Sequence, residues 1–178
     1  LSGDYILSLP EYMTQGETAR LFPVLSTSSR EGRATSIFLS CLSLIDGFSH
    51  EIMQLLGRRL GSRARVTCFT EVVLKGVKDS ERNRPDGLIE ISSGRSVWRC
   101  LLETKVGNNK LDADQIERYR AMAQEAKIDA VLTISNELAS RPDLHPIQSV
   151  QKSRSKTPVL HLSWMRIMTH ANLLLDND

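Results

Sequence analysis

Apolar residues recur near helical spacing from Thr35 onward, at Ile37, Phe38, Cys41, Leu42, Leu44, Ile45, Phe48, Ile52, Leu55 and Leu56. That spacing predicts one amphipathic helix. Thr35 or Ser36 is placed to cap it, Gly57 to Gly61 to end it, and Gly47 to weaken or bend it. The pattern then changes period. Arg65 to Lys75 is rich in β-formers (Val66, Thr67, Cys68, Phe69, Thr70, Val72) and reads as a strand. After a charged loop from Gly76 to Arg84, residues 87–92 alternate as a second strand. Ser93-Gly94-Arg95-Ser96 makes a hairpin turn, and Val97 to Lys105 forms a third strand.

Gly107-Asn108-Asn109 breaks that run. Ile116, Tyr119, Ala123 and Ala126 then mark a helix from Asp112 to Lys127, and Asp129 to Ser135 is a short apolar strand. A strand joined through a helix to another strand indicates a parallel crossover. Residues 136–158 form a Pro- and Ser-containing excursion, Val159 to Leu162 a last strand, and Ser163 is placed to cap a final helix from Trp164 to about Leu174. The order is helix, three strands, helix, strand. The expectation is one α/β domain over residues 1–178: a core of about 35–135, an N-terminal extension at 1–34, a C-terminal appendix at 136–178, and helical decorations at both ends.

Length and composition fit this. The chain has 178 residues, 40% hydrophobic and 25% charged, an ordinary globular balance. No run of about 18 apolar residues exists to span a membrane. The opening Leu1-Ser2-Gly3-Asp4-Tyr5 lacks the charged-then-apolar shape of a secretion signal. Cys41, Cys68 and Cys100 form no Cys-x-x-Cys pair and sit in apolar contexts, so buried free thiols in a reducing cytoplasm are expected. His50, His145, His161 and His170 show no metal-ligand spacing and are expected to be structural.

The net charge of +2 conceals a distribution. Residues 61–110 hold 10 basic and 6 acidic groups, whereas the flanking segments each sum to −1. That middle third therefore suggests a polyanion as partner, provided its cations cluster on the face that carries the chemistry; the other reading is a solvated basic face.

The same third holds the candidate chemistry. Asp86, in Arg84-Pro85-Asp86-Gly87, precedes the second strand, and Glu103-Thr104-Lys105 ends the third. Glu103 and Lys105 are two apart on one strand and emerge on the same face. The hairpin brings Asp86 beside Glu103. Two carboxylates at one point make a hard oxygen site suited to Mg²⁺ or Mn²⁺. A neighbouring lysine orients a water or balances a phosphate. A second Pro-Asp, at Pro142-Asp143, has no acid-x-Lys after it and reads as a turn.

Pro85-Asp86…Glu103-Thr104-Lys105 resembles the signature of the PD-(D/E)XK, or restriction-endonuclease-like, nuclease superfamily. The element order and the placement of the signature across the second and third strands are similar too. Gln115-Ile116-Glu117-Arg118-Tyr119 resembles the Gln-x-x-x-Tyr element of the RecB-like and exonuclease branches. The resemblance covers roughly residues 35–135 and implies a mixed central sheet flanked by helices. It further implies a Mg²⁺-dependent deoxyribonuclease in which Asp86 and Glu103 hold the metal, the Thr104 carbonyl is a further ligand, and Lys105 assists the nucleophile or phosphate. Gln115 and Tyr119 would face the active site. An extra acid from the first helix or strand is common in the family, with Glu71 preferred here and Glu51 the other choice. Many relatives pair to cut two strands, which leaves a homodimer open. Read from the residues alone, Asp112-x-x-Gln115 also fits a helix-capping pattern and Tyr119 a core position. Two other readings stay open: a nuclease-fold nucleic-acid-binding module without useful catalysis, and a metabolic or structural α/β protein in which Glu103–Lys105 is only a surface pair. The last requires that the two carboxylates do not converge.

Overall fold

The computed structural model describes residues 9–21 and 30–176. The chain is α/β, with a six-stranded mixed sheet flanked by helices. The strands are β1 (Met13–Thr18), β2 (Arg65–Leu74), β3 (Gly87–Ser93), β4 (Ser96–Thr104), β5 (Ala130–Ser135) and β6 (Val159–Ser163). They lie side by side in chain order. Pairing is antiparallel from β1 to β4 and parallel from β4 to β6. The change follows from the connections. A two-residue turn at Gly94 (φ +60) joins β3 to β4. Helix α3 (Ala113–Glu125) carries the chain back from β4 to β5, as a parallel pair requires.

Alternation along the strands gives the sheet two apolar faces. One carries Cys68, Ile89, Cys100, Leu102, Leu132 and Ile134. It packs against α1 (Arg30–Leu44), α2 (Asp46–Leu55) and α5 (Trp164–Leu175) through Leu39, Leu42, Ile52 and Ile167. The other carries Phe69, Leu88, Leu101 and Val131 and packs against α3 through Ile116, Tyr119 and Ala123, with Val150 of the short α4 (Gln148–Gln151). Cys68 and Cys100 are buried and Cys41 is half-buried, all as free thiols.

Three expectations are corrected. The first helix begins at Arg30 rather than Thr35, which puts Thr35 in the helix interior and not at its cap. It is two helices, because Ile45 is extended (φ −117, ψ 100). That break turns α2 so that Phe48, Ile52 and Met53 reach the core; Gly47 lies inside α2. The described part of the N-terminal extension is a strand, not a helical decoration. β1 adds to the edge of β2 with two register shifts. Residues 1–8 and 22–29 lie outside the described residues.

Other expectations stand. The hairpin, the α3 span and β5 follow the sequence pattern, and the Ser163 hydroxyl caps α5 by accepting from Arg166 N. Among the described residues no helix is long and apolar enough to cross a membrane.

Candidate active site

β3 begins where β4 ends, so Gly87 pairs with Leu102 and Asp86 arrives next to Glu103 and Thr104. Gly87 allows the approach of α1: a Cβ there would stand 2.6 Å from Leu39 Cδ1 and 3.0 Å from Phe69 O. Asp86 Oδ2 accepts two bonds from Thr104, from its backbone N at 2.7 Å and its hydroxyl at 3.0 Å. The Thr104 hydroxyl also meets Thr35 Oγ1 of α1 at 2.5 Å. Thr35 donates to Glu31 O one turn earlier, at 2.9 Å. Thr104 thus ties the Asp86 carboxylate to the first turns of α1.

Glu103 projects to the opposite face and is almost wholly buried, at 1% exposure. Its Oε1 accepts from Lys105 Nζ at 2.6 Å. Its Oε2 is buried with no hydrogen-bond partner. Lys105 Nζ also lies 3.8 Å from Glu31 Oε2, whose other oxygen accepts from Asn109 Nδ2 at 2.7 Å. The Lys105 carbonyl accepts from Trp164 Nε1 of α5 at 2.8 Å, which fixes the strand end.

The result is three carboxylates around one ammonium in a region largely shut off from water. Burial pushes the Glu103 carboxyl up to about 7, and Asp86 adds to the shift by repulsion. Asp86 is also raised, first by burial and further by Glu31, against the pull of its Thr104 bonds. Burial works against the Lys105 ammonium, but Glu103, Glu31 and Asp86 outweigh it and hold the group above its ordinary value.

Gln115 and Tyr119 act on the loop before Asp86. Gln115 Nε2 donates to Tyr119 Oη at 2.8 Å, and Tyr119 Oη donates to Arg84 O at 2.9 Å. Tyr119 is also packed in the core, at 2% exposure. Its phenol is pushed well above the ordinary range by burial and by the charge of Glu103. The capping role is real as well: Asp112 accepts from Gln115 N at 2.8 Å. Backbone and side chain of Gln115 therefore serve different purposes.

The extra acid beside the lysine is Glu31, which sequence reasoning missed. Glu71 is exposed, with a left-handed backbone (φ 53), where β2 steps out of register with β1. The bulge turns its carboxylate out of the strand interior, so its isolation among apolar residues is relieved by solvent. Glu51 bonds His170 Nδ1 of α5 at 2.5 Å. Neither has a contact with Asp86, Glu103 or Lys105 among the described residues. Arg141-Pro142-Asp143 is an exposed turn in which Arg141 pairs with Asp143.

The cations of the middle third are divided between this site's end of the sheet and the opposite one. Lys75, Lys78, Arg82 and Arg84 lie on the loop at its end of the sheet, where Asp79 and Glu81 share the loop. Arg63, Arg65 and Arg95 lie at the opposite end. Arg99 is held mid-sheet, 2.7 Å from Glu90 Oε2.

Among the described residues, no three His, Cys, Asp or Glu side chains are grouped so as to hold a metal ion. No family model matches the chain, and no curated protein matches it.

Proposed function

We propose that this chain is a metal-dependent nuclease that hydrolyses DNA phosphodiester bonds on a restriction-endonuclease-like core. The observation that carries the reading is Glu103 Oε2, buried and unpartnered beside Lys105 and repelled by the charge of Asp86, which Thr104 holds at the same end of β4. An orphaned carboxylate oxygen in a cluster of excess negative charge is costly unless a cation joins it. Two hard oxygen donors suit Mg²⁺ or Mn²⁺, and Mg²⁺ is commonly held by one or two carboxylates with waters and substrate phosphate completing its shell.

Asp86 and Glu103 would hold the ion, with the Thr104 carbonyl as a further ligand. When bound, the ion activates water and screens phosphate charge. Thr104 fixes the orientation of Asp86 through its two bonds. Lys105 offers a proton and a positive charge at the same point, and Glu31 Oε2 lies 3.8 Å from its ammonium. Tyr119 and Gln115 fix the Arg84 carbonyl and so the approach of Asp86.

Digestion of plasmid and linear DNA with Mg²⁺ or Mn²⁺ tests this. The expected result is cleavage by the wild type and a loss of more than about 100-fold in Asp86→Ala and Lys105→Ala, beyond the effect typical of outer-shell partners. Equal cleavage by all three proteins would sink the proposal. One observation favours a second reading: Lys105 Nζ already occupies Glu103 Oε1 at 2.6 Å. If Mg²⁺ neither binds nor supports cleavage, the chain is a nucleic-acid-binding module that keeps the fold without catalysis.

A further inference from the structure

We propose that the end of the sheet opposite the carboxylates binds the phosphate backbone of nucleic acid. That end is built from the start of β2, the β3–β4 hairpin, the α3–β5 loop and the approach to β6. Its β2 side carries Arg58, Arg59, Arg63, Arg65 and Arg95, all exposed. Its β6 side carries Lys127, Lys152, Arg154 and Lys156, also exposed. The acids described at this end include Asp46, Glu125, Asp129 and, at the C-terminal end of α5, Asp176, and Asp129 already accepts from Arg99 N at 2.8 Å. None of the nine cations has an ion pair within 4.0 Å among the described residues.

Two facts make this more than a solvated face. The β2 side is all arginine, whose planar fork suits phosphate. Arg58 is held over the Trp98 ring at 4.6 Å, which orders its guanidinium without neutralising it. The patch also has the right extent. From β2 to β6 are four strand spacings, about 19 Å at roughly 4.8 Å each. Duplex DNA presents one charge per about 1.7 Å of axis, so a strip this wide meets on the order of ten phosphates. At the carboxylate end Lys105, Lys110 and Arg141 are each paired with an acid, whereas Lys75, Lys78, Arg82 and Arg84 are exposed on the β2–β3 loop together with Asp79 and Glu81.

At the hairpin the two ends are separated by the nine residues of β4, about 30 Å at roughly 3.3 Å per residue, while β5 starts opposite Cys100, three positions before Glu103, or about 10 Å. A backbone held at the arginine end therefore does not need the carboxylates. The inference stands apart from the nuclease reading, and its test uses chelator so that cleavage plays no part.

The probe is a labelled DNA duplex long enough to span the patch, titrated in EDTA at several salt concentrations. The wild type should bind, with log Kd rising as log salt rises. The triple variant Arg59→Ala, Arg63→Ala, Arg95→Ala should lose about 1 unit of salt slope per contact removed, with an unchanged melting temperature. The matching Arg→Lys triple should keep the slope, because lysine preserves the charge. Lys105→Ala should keep it too. No binding by the wild type, or an equal slope in the alanine triple, would overturn the proposal. So would a loss in Lys105→Ala as large as in the triple, which would place the duplex on the carboxylate end. Binding to phosphatidylserine vesicles but not to the duplex would assign the patch to a membrane surface instead.

Discussion

Two buried polar clusters sit on one face of the sheet and are resolved in opposite ways. Glu103 on β4 pairs with Thr133 on β5, and Thr133 with His161 on β6. At the first position, Glu103 and Glu31 share one lysine, Asp86 adds a third negative charge nearby, and a buried oxygen has no partner. At the other two, every polar atom of the imidazoles has a partner. His145 Nδ1 accepts from Ile147 N at 3.1 Å, so its Nε2 carries the proton and donates to Thr133 Oγ1 at 3.1 Å. His161 Nε2 donates to Glu137 O at 2.9 Å, so its Nδ1 accepts from Thr133 Oγ1 at 2.9 Å. The rings meet edge to face with centroids 5.5 Å apart. A satisfied neutral network specifies a core. An unsatisfied charged one is kept where it serves a purpose other than stability.

The first expected effect lies on the charged side. Thr104→Val removes the hydroxyl that bonds Asp86 and leaves the backbone N–H in place. Cleavage should fall about 10–100-fold, the usual cost of an outer-shell partner, with little change in melting temperature. A variant with wild-type cleavage would show that Asp86 needs no such fixing.

Thr133→Val acts on the satisfied side and should do the reverse. It strands one ring nitrogen of each histidine, at a cost of about 1–3 kcal/mol per buried unsatisfied group. Denaturant melts should show that loss while cleavage per folded molecule is kept. If cleavage collapses and stability holds, the two clusters act as one.

Glu103→Gln should move stability the other way. It removes a buried negative charge from among two others and keeps an acceptor for Lys105. In metal-free buffer at neutral pH, the melting temperature should rise, by the equivalent of about 1 kcal/mol, while cleavage is lost. A fall in melting temperature would mean that the Lys105 pair outweighs the repulsion.

The smallest effect is the acid limb. Burial lowers His145 from 6.5 to about 4, and the neighbouring His161 and Arg120 oppose its protonation. His161 is lowered too, by burial. The unfolded chain therefore binds more protons than the folded one in this range. Stability from the cluster is full above pH 6.5 and drains as pH falls toward about 4. Melting temperature against pH should be flatter over that window in His145→Gln than in the wild type. Parallel curves would show that the ring does not titrate with unfolding.

The legibility of these features follows from how far apart their parts are in the chain. Asp86, Glu103 and Lys105 were readable because a hairpin and a two-residue pleat bring them together by local geometry. The Gln115–Tyr119 pair was readable as a helix face. Glu71 misled because an acid inside an apolar strand looks buried. The clue lay in Val72-Val73-Leu74, three buried apolar residues in a row that break alternation after it and mark the bulge. Glu31 left no clue in its own neighbourhood. It precedes Lys105 by more than seventy positions and joins the site only because α1 starts a turn earlier than its apolar pattern and packs across the end of β4.

Spacing within one or two adjacent elements was enough to give the α/β order of elements, the hairpin, the crossover and the arrival of Asp86 at the end of β4. Tertiary packing was needed to bring Glu31 to Lys105 beside Glu103. It was needed too for His145 and His161 to share one threonine, and it divides the exposed cations of the middle third between the two ends of the sheet. Those outcomes depend on which element ends are stacked at the same edge, and that is set by the burial of the two apolar faces together, not by any local run of residues.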